Sequence, residues 1–271
     1  GQRPGGRPAH RGDRVHRGGV ISVRFAAVGA ASIDVGVGGA VLSDAERARH
    51  DRLRFGVDRD AYAAAHLLVR ACAADLLGVP AAGVRLEQHC PHCGGAGHGR
   101  PSIAGEPGLF VSLSHTRGYV AAVAATVSCG IDVQTVATDV IDRAVVGRER
   151  AWLAAQPDPL VAFTRLWVRK EALVKVGLAD DPGRLDVLDD AGPAGLYRGY
   201  ALTEWSAPSD TDGRPAAVGC VSVCLSHHGN RRRRGSDDPP VATCGPRPAS
   251  ASAVGRAWPA GSWSVSARLE R

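Results

Sequence analysis

Three short stretches of this sequence hold residue types that could do chemistry together. In Gly130-Ile131-Asp132-Val133-Gln134, β-branched and polar residues alternate, so on a strand Asp132 and Gln134 share one face. Burying a carboxylate without a partner is costly. Asp132 is therefore either a hydrogen-bonded structural residue at a strand end or a metal ligand. In Trp167-Val168-Arg169-Lys170-Glu171-Ala172-Leu173-Val174-Lys175, the residues Trp167, Glu171 and Lys175 recur at a helical step and share one face. They form either a surface Glu–Lys pair beside a core tryptophan or a carboxylate and an ammonium presented to a polar cleft. Ser112-Leu113-Ser114-His115-Thr116 ends a strand in hydroxyls and an imidazole, which suit a phosphate. Ser114 and His115 are adjacent and so face opposite sides of a strand, which argues against a nucleophile–base pair.

Lysine usage sharpens the second stretch. Lys170 and Lys175 are the only lysines in the chain, and both flank Glu171. A compact ammonium differs from the planar guanidinium fork used elsewhere in this arginine-rich sequence, so their placement points to function. A fourth stretch, Cys90-Pro91-His92-Cys93 with His98, offers three zinc-ligand types, and His92 or Cys72 would have to supply the fourth. The favoured reading is a Gly-rich loop without metal. Seven cysteines, odd in number and scattered, do not make a secreted disulfide framework, and a cytoplasmic location is expected.

The elements that must position these residues are legible in part. Ile21, Val23 and Phe25 alternate in a stretch, 21–41, that reads as one or two strands. Ser43 or Asp44 caps a charged helix running to about Phe55. A second helix runs from about Asp60 to Leu77, with Tyr62, His66, Val69 and Ala73 on one face, and Gly78 closes it. Residues 84–101 read as an irregular loop after a short strand at Val84–Leu86. Strands follow at Leu109–Ser114, Tyr119–Thr126 and Gly130–Gln134, then a helix around Asp142–Ala155. Asp158-Pro159 starts the helix that carries Glu171. Later strands are predicted near 184–188, 197–204 and 216–225. This is an α+β pattern, because no βαβ alternation with a Gly-rich turn occurs.

Composition narrows the function class. The chain has 271 residues, 44% hydrophobic and 22% charged, enough for one large or two small cores. No apolar run reaches the ~18 residues that a membrane helix needs. The first twenty residues, rich in Gly and Arg, do not read as a secretory signal. The net charge of +6 invites a nucleic-acid reading, yet residues 21–226 carry 20 basic and 23 acidic residues. The basicity lies in segments 1–20 and 227–271, both expected to be disordered, the second alternatively misassigned. Trp258 and Trp263 there have no patterned partner, and Arg231–Arg234 reads as a solvated run.

Together the motifs resemble the 4′-phosphopantetheinyl transferases, of the larger monomeric type similar to the surfactin-synthetase activator. That family's pattern is a Gly-Lys/Arg-Pro step, Ser-His-Ser/Thr, Gly-Ile/Val-Asp-Ile/Val-Glu and Trp-x-x-Lys-Glu-Ala-x-x-Lys. Here these read Gly99-Arg100-Pro101, Ser114-His115-Thr116, Gly130–Gln134 and Trp167–Lys175, in the same order. The resemblance covers roughly residues 40–205, including Arg54-Phe55 and the helix ending in Val69-Arg70. It implies two pseudo-symmetric α+β subdomains, 21–128 and 129–226, with coenzyme A in the cleft between them. It also implies Mg²⁺-dependent transfer of phosphopantetheine from coenzyme A to a serine of an acyl or peptidyl carrier protein, releasing adenosine 3′,5′-bisphosphate.

By the same resemblance Asp132, Gln134 and Glu171 would hold Mg²⁺, and Glu171 would deprotonate the carrier serine directly or through water. Lys175 and Lys170 would contact the diphosphate, and Ser114 and His115 a coenzyme A phosphate. Gly99, Arg100 and Pro101 would line the adenine site, and Arg54 would take the 3′-phosphate. Gln134 departs from the family's usual Glu and keeps an oxygen but no charge. The expectation is that Asp132 and Glu171 carry the metal while Gln134 orders a water; the alternative is a weakened relative that binds coenzyme A without turnover. A basic nucleic-acid binder working through the tails is a third, less favoured reading. The expected carrier contact is a basic or apolar patch near the cleft, with the arginines of 143–150 as candidates, on a monomer with no membrane partner.

Overall fold

The computed structural model describes residues 19–29, 42–90, 93–95, 99–188, 194–209, 213–225, 254–257 and 262–269. Two helices open the chain after strand β1 (Gly19–Ala27). Helix α1 (Asp44–Arg52) starts in a capping box. The Ser43 hydroxyl accepts from the Glu46 amide, and Glu46 accepts from the Ser43 amide. Helix α2 (Gly56–Leu77) begins a turn earlier than its apolar periodicity predicts and ends at Gly78, as expected. It buries a small-residue face of Ala64, Ala65, Leu68, Cys72 and Ala73. That face meets an equally small sheet surface, so helix and sheet approach closely.

The sheet is antiparallel throughout and combines β2 (Leu86–His89), β3 (Arg100–Ile103), β4 (Phe110–Thr116) and β5 (Tyr119–Ala125) with β1 and two later strands. A second antiparallel sheet starts with β6 (Cys129–Thr135). It continues in the order β6-β9-β8-β7, with β7 (Ala194–Tyr197), β8 (Tyr200–Ala207) and β9 (Ala217–Cys224). Helices α3 (Gly147–Ala154) and α4 (Pro159–Lys175) lie between β6 and β7 in the chain. Asp158 caps α4 by accepting from the Leu160 and Val161 amides, and Pro159 fills the first turn.

Strand alternation produces four layers. Ile21, Val23 and Phe25 of β1 and Ala121, Val123 and Ala125 of β5 pack against Ile131, Val133, Val221 and Val223 of the second sheet. The opposite face of the first sheet, Val111, Val120, Ala122 and Ala124, packs on α2. Ser22 and Arg24, also on that face, bond Asp75 of α2. The outer face of the second sheet packs Val218, Cys220 and Leu202 against Phe163, Leu166, Val168 and Leu173 of α4. Each fully buried Leu or Val contributes about 1.5–3 kcal/mol. The order is therefore helix, sheet, sheet, helix, a mixed α/β architecture with two antiparallel sheets and four α-helices among the described residues. No helix among them is long and apolar enough to cross a membrane.

Four expectations change. The stretch 84–101 is not an irregular loop throughout: β2 and β3 pair across it, Leu86 with Ile103 through His89 with Arg100. Residues 184–188 form no strand; a short 3₁₀ turn, Pro182–Arg184, precedes Leu185 and Val187, which are buried without ladder partners. The helix expected at Asp142–Ala155 splits into a 3₁₀ turn, Asp142–Ala144, and α3. The segment expected to be disordered, 227–271, contains β10 (Val254–Ala257) and β11 (Ser262–Leu269). Strand β11 pairs with β1 from Gly19–Leu269 to Ala26–Ser262. It supplies partners to an edge that would otherwise present a row of unpaired backbone groups. Trp263, Val265, Ala267 and Leu269 recur at period two, a strand signal hidden by the surrounding Gly, Pro and Arg. Residues 1–18, 30–41 and Arg231–Arg234 lie outside the described residues.

Candidate functional site

Strand β6 is the edge of its sheet, and the hydroxyl-bearing face of β4 lies against it. Every second residue of β4 contributes. The Ser112 hydroxyl accepts from the Ile131 amide (3.2 Å), the Ser114 hydroxyl donates to Asp132 Oδ1 (2.7 Å), and Thr116 meets Thr135 (3.4 Å). Polar groups thus join two strands of different sheets, and Asp132 is buried at the seam. Helix α4 reaches the same seam because Gly130 lets it. A Cβ on Gly130 would lie 2.2 Å from the Ala172 carbonyl oxygen. The Ser222 hydroxyl donates to that oxygen (2.9 Å).

The approach delivers Lys175. Its ammonium donates to Asp132 Oδ1 (2.8 Å) and to the Ile131 carbonyl (2.7 Å), with the Leu113 carbonyl at 3.4 Å. One turn earlier, Glu171 is half-buried, and no donor among the described residues pairs with its carboxylate. Burial raises its pKa above the ordinary carboxylate value, the Asp132 charge raises it further, and Lys175 partly offsets both. Asp132, Glu171 and Lys175 are therefore mutual electrostatic neighbours, two acids to one ammonium. Gln134 follows Asp132 on the same strand face and lines a cavity of about 340 Å³ with Thr135, Phe163, Thr164 and Trp167.

A second wall comes from the β2–β3 hairpin. Gly99 has φ 98°, and a Cβ there would lie 2.3 Å from the His89 carbonyl, so only glycine fits. Arg100 Nη2 donates to the Lys175 carbonyl at 2.5 Å. This ties the hairpin to the C-terminus of α4, where a cation is favoured. Gly99, Arg100 and Pro101 line a cavity of about 370 Å³ that also touches Ser112, Leu113 and Lys175. Arg100 and Pro101 border another, of about 460 Å³, with Phe110 and Ser128. His115 keeps an exposed side at the end of β4. Desolvation by its packed neighbours, then the charges of His66 and Lys175, push its imidazole below the ordinary value, so the neutral form is favoured. Tyr62 meets it edge-on at 6.2 Å.

Several predicted residues are placed differently. Lys170 is buried, not in the cleft: its ammonium donates to Glu149 (2.5 Å) and to the Ala144 carbonyl (2.6 Å). A one-residue step of about 100° turns it from the Glu171 face into the core. Ser114 donates to Asp132 and so orients that carboxylate. Arg54 is exposed, its guanidinium 5.4 Å from the Phe55 ring centroid. Cys93 accepts from the Gly95 amide (3.3 Å), while His92 and His98 lie outside the described residues. Cys72 is no zinc ligand. It donates to the Ala122 carbonyl inside the core, and burial pushes its thiol up to about 12.

Sequence reasoning missed a buried network behind His115. Glu46 accepts from Arg70 Nη2 on both oxygens (2.9 and 2.7 Å), and its Oε1 lies 2.6 Å from His66 Nδ1. Tyr62 packs on His66 with ring centroids 4.1 Å apart and the rings tilted by 32°. The Ser-x-x-Glu capping box was the available signal for Glu46, and Arg49, one helical step on, lies close enough to depress His115 further.

The oxygen-bearing side chains here are the carboxylates of Asp132 and Glu171, which act on each other electrostatically, and the Gln134 amide, which lines the neighbouring cavity. Among the described residues no group of three or more His, Cys, Asp and Glu side chains forms a protein-only cage. Two carboxylates are of the kind and number that Mg²⁺ takes from a protein, with water and phosphate completing its shell. The unbalanced negative charge at Glu171 and Asp132 favours such a cation. No curated protein is similar enough to the chain to count as a match. The stretch that carries Asp132, Gln134, Glu171 and Lys175, residues 128–218, matches the family model of the 4′-phosphopantetheinyl transferase superfamily.

Proposed function

We propose that this protein transfers 4′-phosphopantetheine from coenzyme A to a serine hydroxyl of an acyl or peptidyl carrier protein and releases adenosine 3′,5′-bisphosphate. The observation that carries this reading is the meeting of Asp132, Glu171 and Lys175 beside the cavity lined by Gly99, Arg100 and Pro101. The family match over 128–218 supports a transferase of phosphopantetheine. Two sheets, each crossed by one long helix on its outer face, support two related halves with the cleft between them.

In the reaction the carrier serine oxygen forms a bond to the phosphorus that bears pantetheine, and the bond from that phosphorus to the bridging oxygen of the diphosphate breaks. The serine proton passes to Glu171, directly or through a water, and the leaving phosphate takes up the electron pair. In the metal-free site burial and the Asp132 charge raise the Glu171 pKa, which makes its carboxylate a stronger base than an ordinary one. Lys175 places an ammonium where negative charge grows, which is the main demand of phosphoryl transfer. Asp132, Glu171 and Gln134 are the residues that would hold Mg²⁺, which when bound neutralises charge on the diphosphate. Arg100 holds the hairpin against Lys175 and presents Pro101 to the adenine side. His115, backed by Tyr62 and His66, offers a ring nitrogen to a phosphate of coenzyme A.

The protein acts as a cytoplasmic monomer in this reading. Incubation with coenzyme A, Mg²⁺ and an apo carrier protein should add the mass of one phosphopantetheine group to the carrier. Glu171→Gln should abolish that gain, and a wild-type chain that modifies no carrier while binding coenzyme A would refute transfer. A weakened coenzyme A-binding relative is the second reading, favoured by the missing charge at Gln134. Gln134→Glu turning an inert protein into an active one would establish it.

A further inference from the structure

The N-terminal end of α2 carries an apolar and basic surface that the site described above does not use. Phe55 is 48% exposed and Val57 is 55% exposed, two residues apart at the start of the helix. Two guanidiniums lie on the Phe55 ring, Arg54 at 5.4 Å and Arg117 at 5.5 Å from its centroid. Arg117 also reaches Asp58 of α2 at 3.3 Å. It comes from the β4–β5 turn, two residues beyond His115, and the Asp58 charge acts on His115. The surface therefore adjoins the His115 end of the cleft.

Its chemistry suits a protein better than a small anion. A phosphate is held by donors that converge and shed water, whereas the Arg117 side chain is 67% exposed and is already shared between a ring and a carboxylate. Exposed Phe and Val side chains contribute nothing to a phosphate. An aromatic anchor with arginines around it is the composition of protein–protein hot spots. Apolar anchors inside a cationic rim complement an amphipathic helix on an acidic protein. Of the arginines that the sequence offered for this role, Arg148 pairs with Asp186 and Arg150 with Asp142, and among the described residues no exposed aromatic anchor accompanies them as Phe55 accompanies Arg117.

We propose that Phe55, Val57 and Arg117 form a docking surface for an acidic helical protein, the carrier that receives phosphopantetheine. The inference rests on the transferase reading and adds the place where the partner sits. Exposed apolar side chains of the enzyme would bury on docking, while the arginines would steer the approach of an acidic helix.

The test is steady-state transfer with a purified apo acyl carrier protein, varying carrier and coenzyme A separately. Phe55→Ala and Arg117→Ala should each raise the KM for carrier by about 10-fold. The KM for coenzyme A and kcat at saturating carrier should stay unchanged. The Arg117→Ala defect should shrink at high salt, where steering is screened. Val57→Asp, at a solvent-facing position, serves as a third variant, and unchanged thermal melting checks that each folds. A rise in KM for coenzyme A with carrier KM unchanged would make the surface an anion subsite and overturn the inference. Unchanged values for both substrates would overturn it too. A wild-type chain that transfers nothing would defeat the transferase reading and this inference with it, whereas active wild type with unaffected variants defeats this inference alone.

Discussion

Lys170 and Lys175 look equivalent in the sequence, and the structure gives them opposite jobs, so one pair of substitutions tests the whole placement. The Lys170 and Glu149 side chains are 1% and 0% exposed, and Glu149 also accepts from the Val146 and Val187 amides. Lys170→Met removes the cation paired with Glu149 and leaves a buried carboxylate without it, a loss of about 3–5 kcal/mol. At about 2–4 °C per kcal/mol for a domain of this size, melting should fall by roughly 6–20 °C. Transfer by the fraction that stays folded should persist. Replacing both partners, Lys170→Met with Glu149→Leu, should recover only the part of the loss due to the unpaired charge, because the Val146 and Val187 amides lose their acceptor as well. Lys175→Met should do the reverse. Its side chain is 28% exposed and its ammonium bonds Asp132 and the Ile131 carbonyl, so its removal should cost about 1–3 kcal/mol. Transfer should drop by about 10²–10³. Thermal melts by circular dichroism and a mass-based transfer assay read the two effects separately. If Lys170→Met melts with wild type and loses transfer as completely as Lys175→Met, the placement of both lysines is wrong.

Three further predictions follow from the charges and the close contacts. Glu171 has a raised carboxyl pKa, so the metal-free protein binds that proton more tightly folded than unfolded. Its stability contribution is favourable below the ordinary Glu value and is lost as pH rises through the raised one. Glu171→Gln should therefore stabilise the metal-free protein near neutral pH but not in acid, and should abolish stabilisation by added Mg²⁺, read by urea melts at both pH values. Burial would raise Glu46, but hydrogen bonds from His66, Arg70 and the Ser43 amide outweigh it and hold the carboxyl at about 2. The stability it contributes is present above its ordinary value of 4.5 and is lost as pH falls toward about 2. Glu46→Gln should destabilise by about 3–5 kcal/mol at neutral pH and converge with wild type in acid. Gly130→Ala puts a Cβ against the Ala172 carbonyl, and the displaced helix should cost about 1–3 kcal/mol and lower transfer, while Gly147→Ala, in open space, should leave transfer unchanged.

Local pattern was enough for much of the frame and for the order in which it carries Asp132, Gln134, Glu171 and Lys175. Alternation placed Asp132 and Gln134 together on a strand, helical spacing placed Glu171 one turn before Lys175, and Asp158-Pro159 marked the start of their helix. Those features depend on neighbours a few residues away, so they survive in a single sequence. The neighbours that complete the site are distant in the chain. Ser114 faces Asp132 because two sheets pack face to face, Arg100 reaches the α4 terminus from 75 residues away, and Glu46, His66 and Arg70 meet only when α1 folds onto α2. Strand β11 pairs with β1 across almost the whole chain, which no local periodicity announces. Lys170 shows the boundary most clearly. The sequence determined that two ammonium groups stand on one helix beside a glutamate, and only tertiary packing decided which of them faces the cleft, because burial is a property of what lies opposite a side chain and not of the residues beside it.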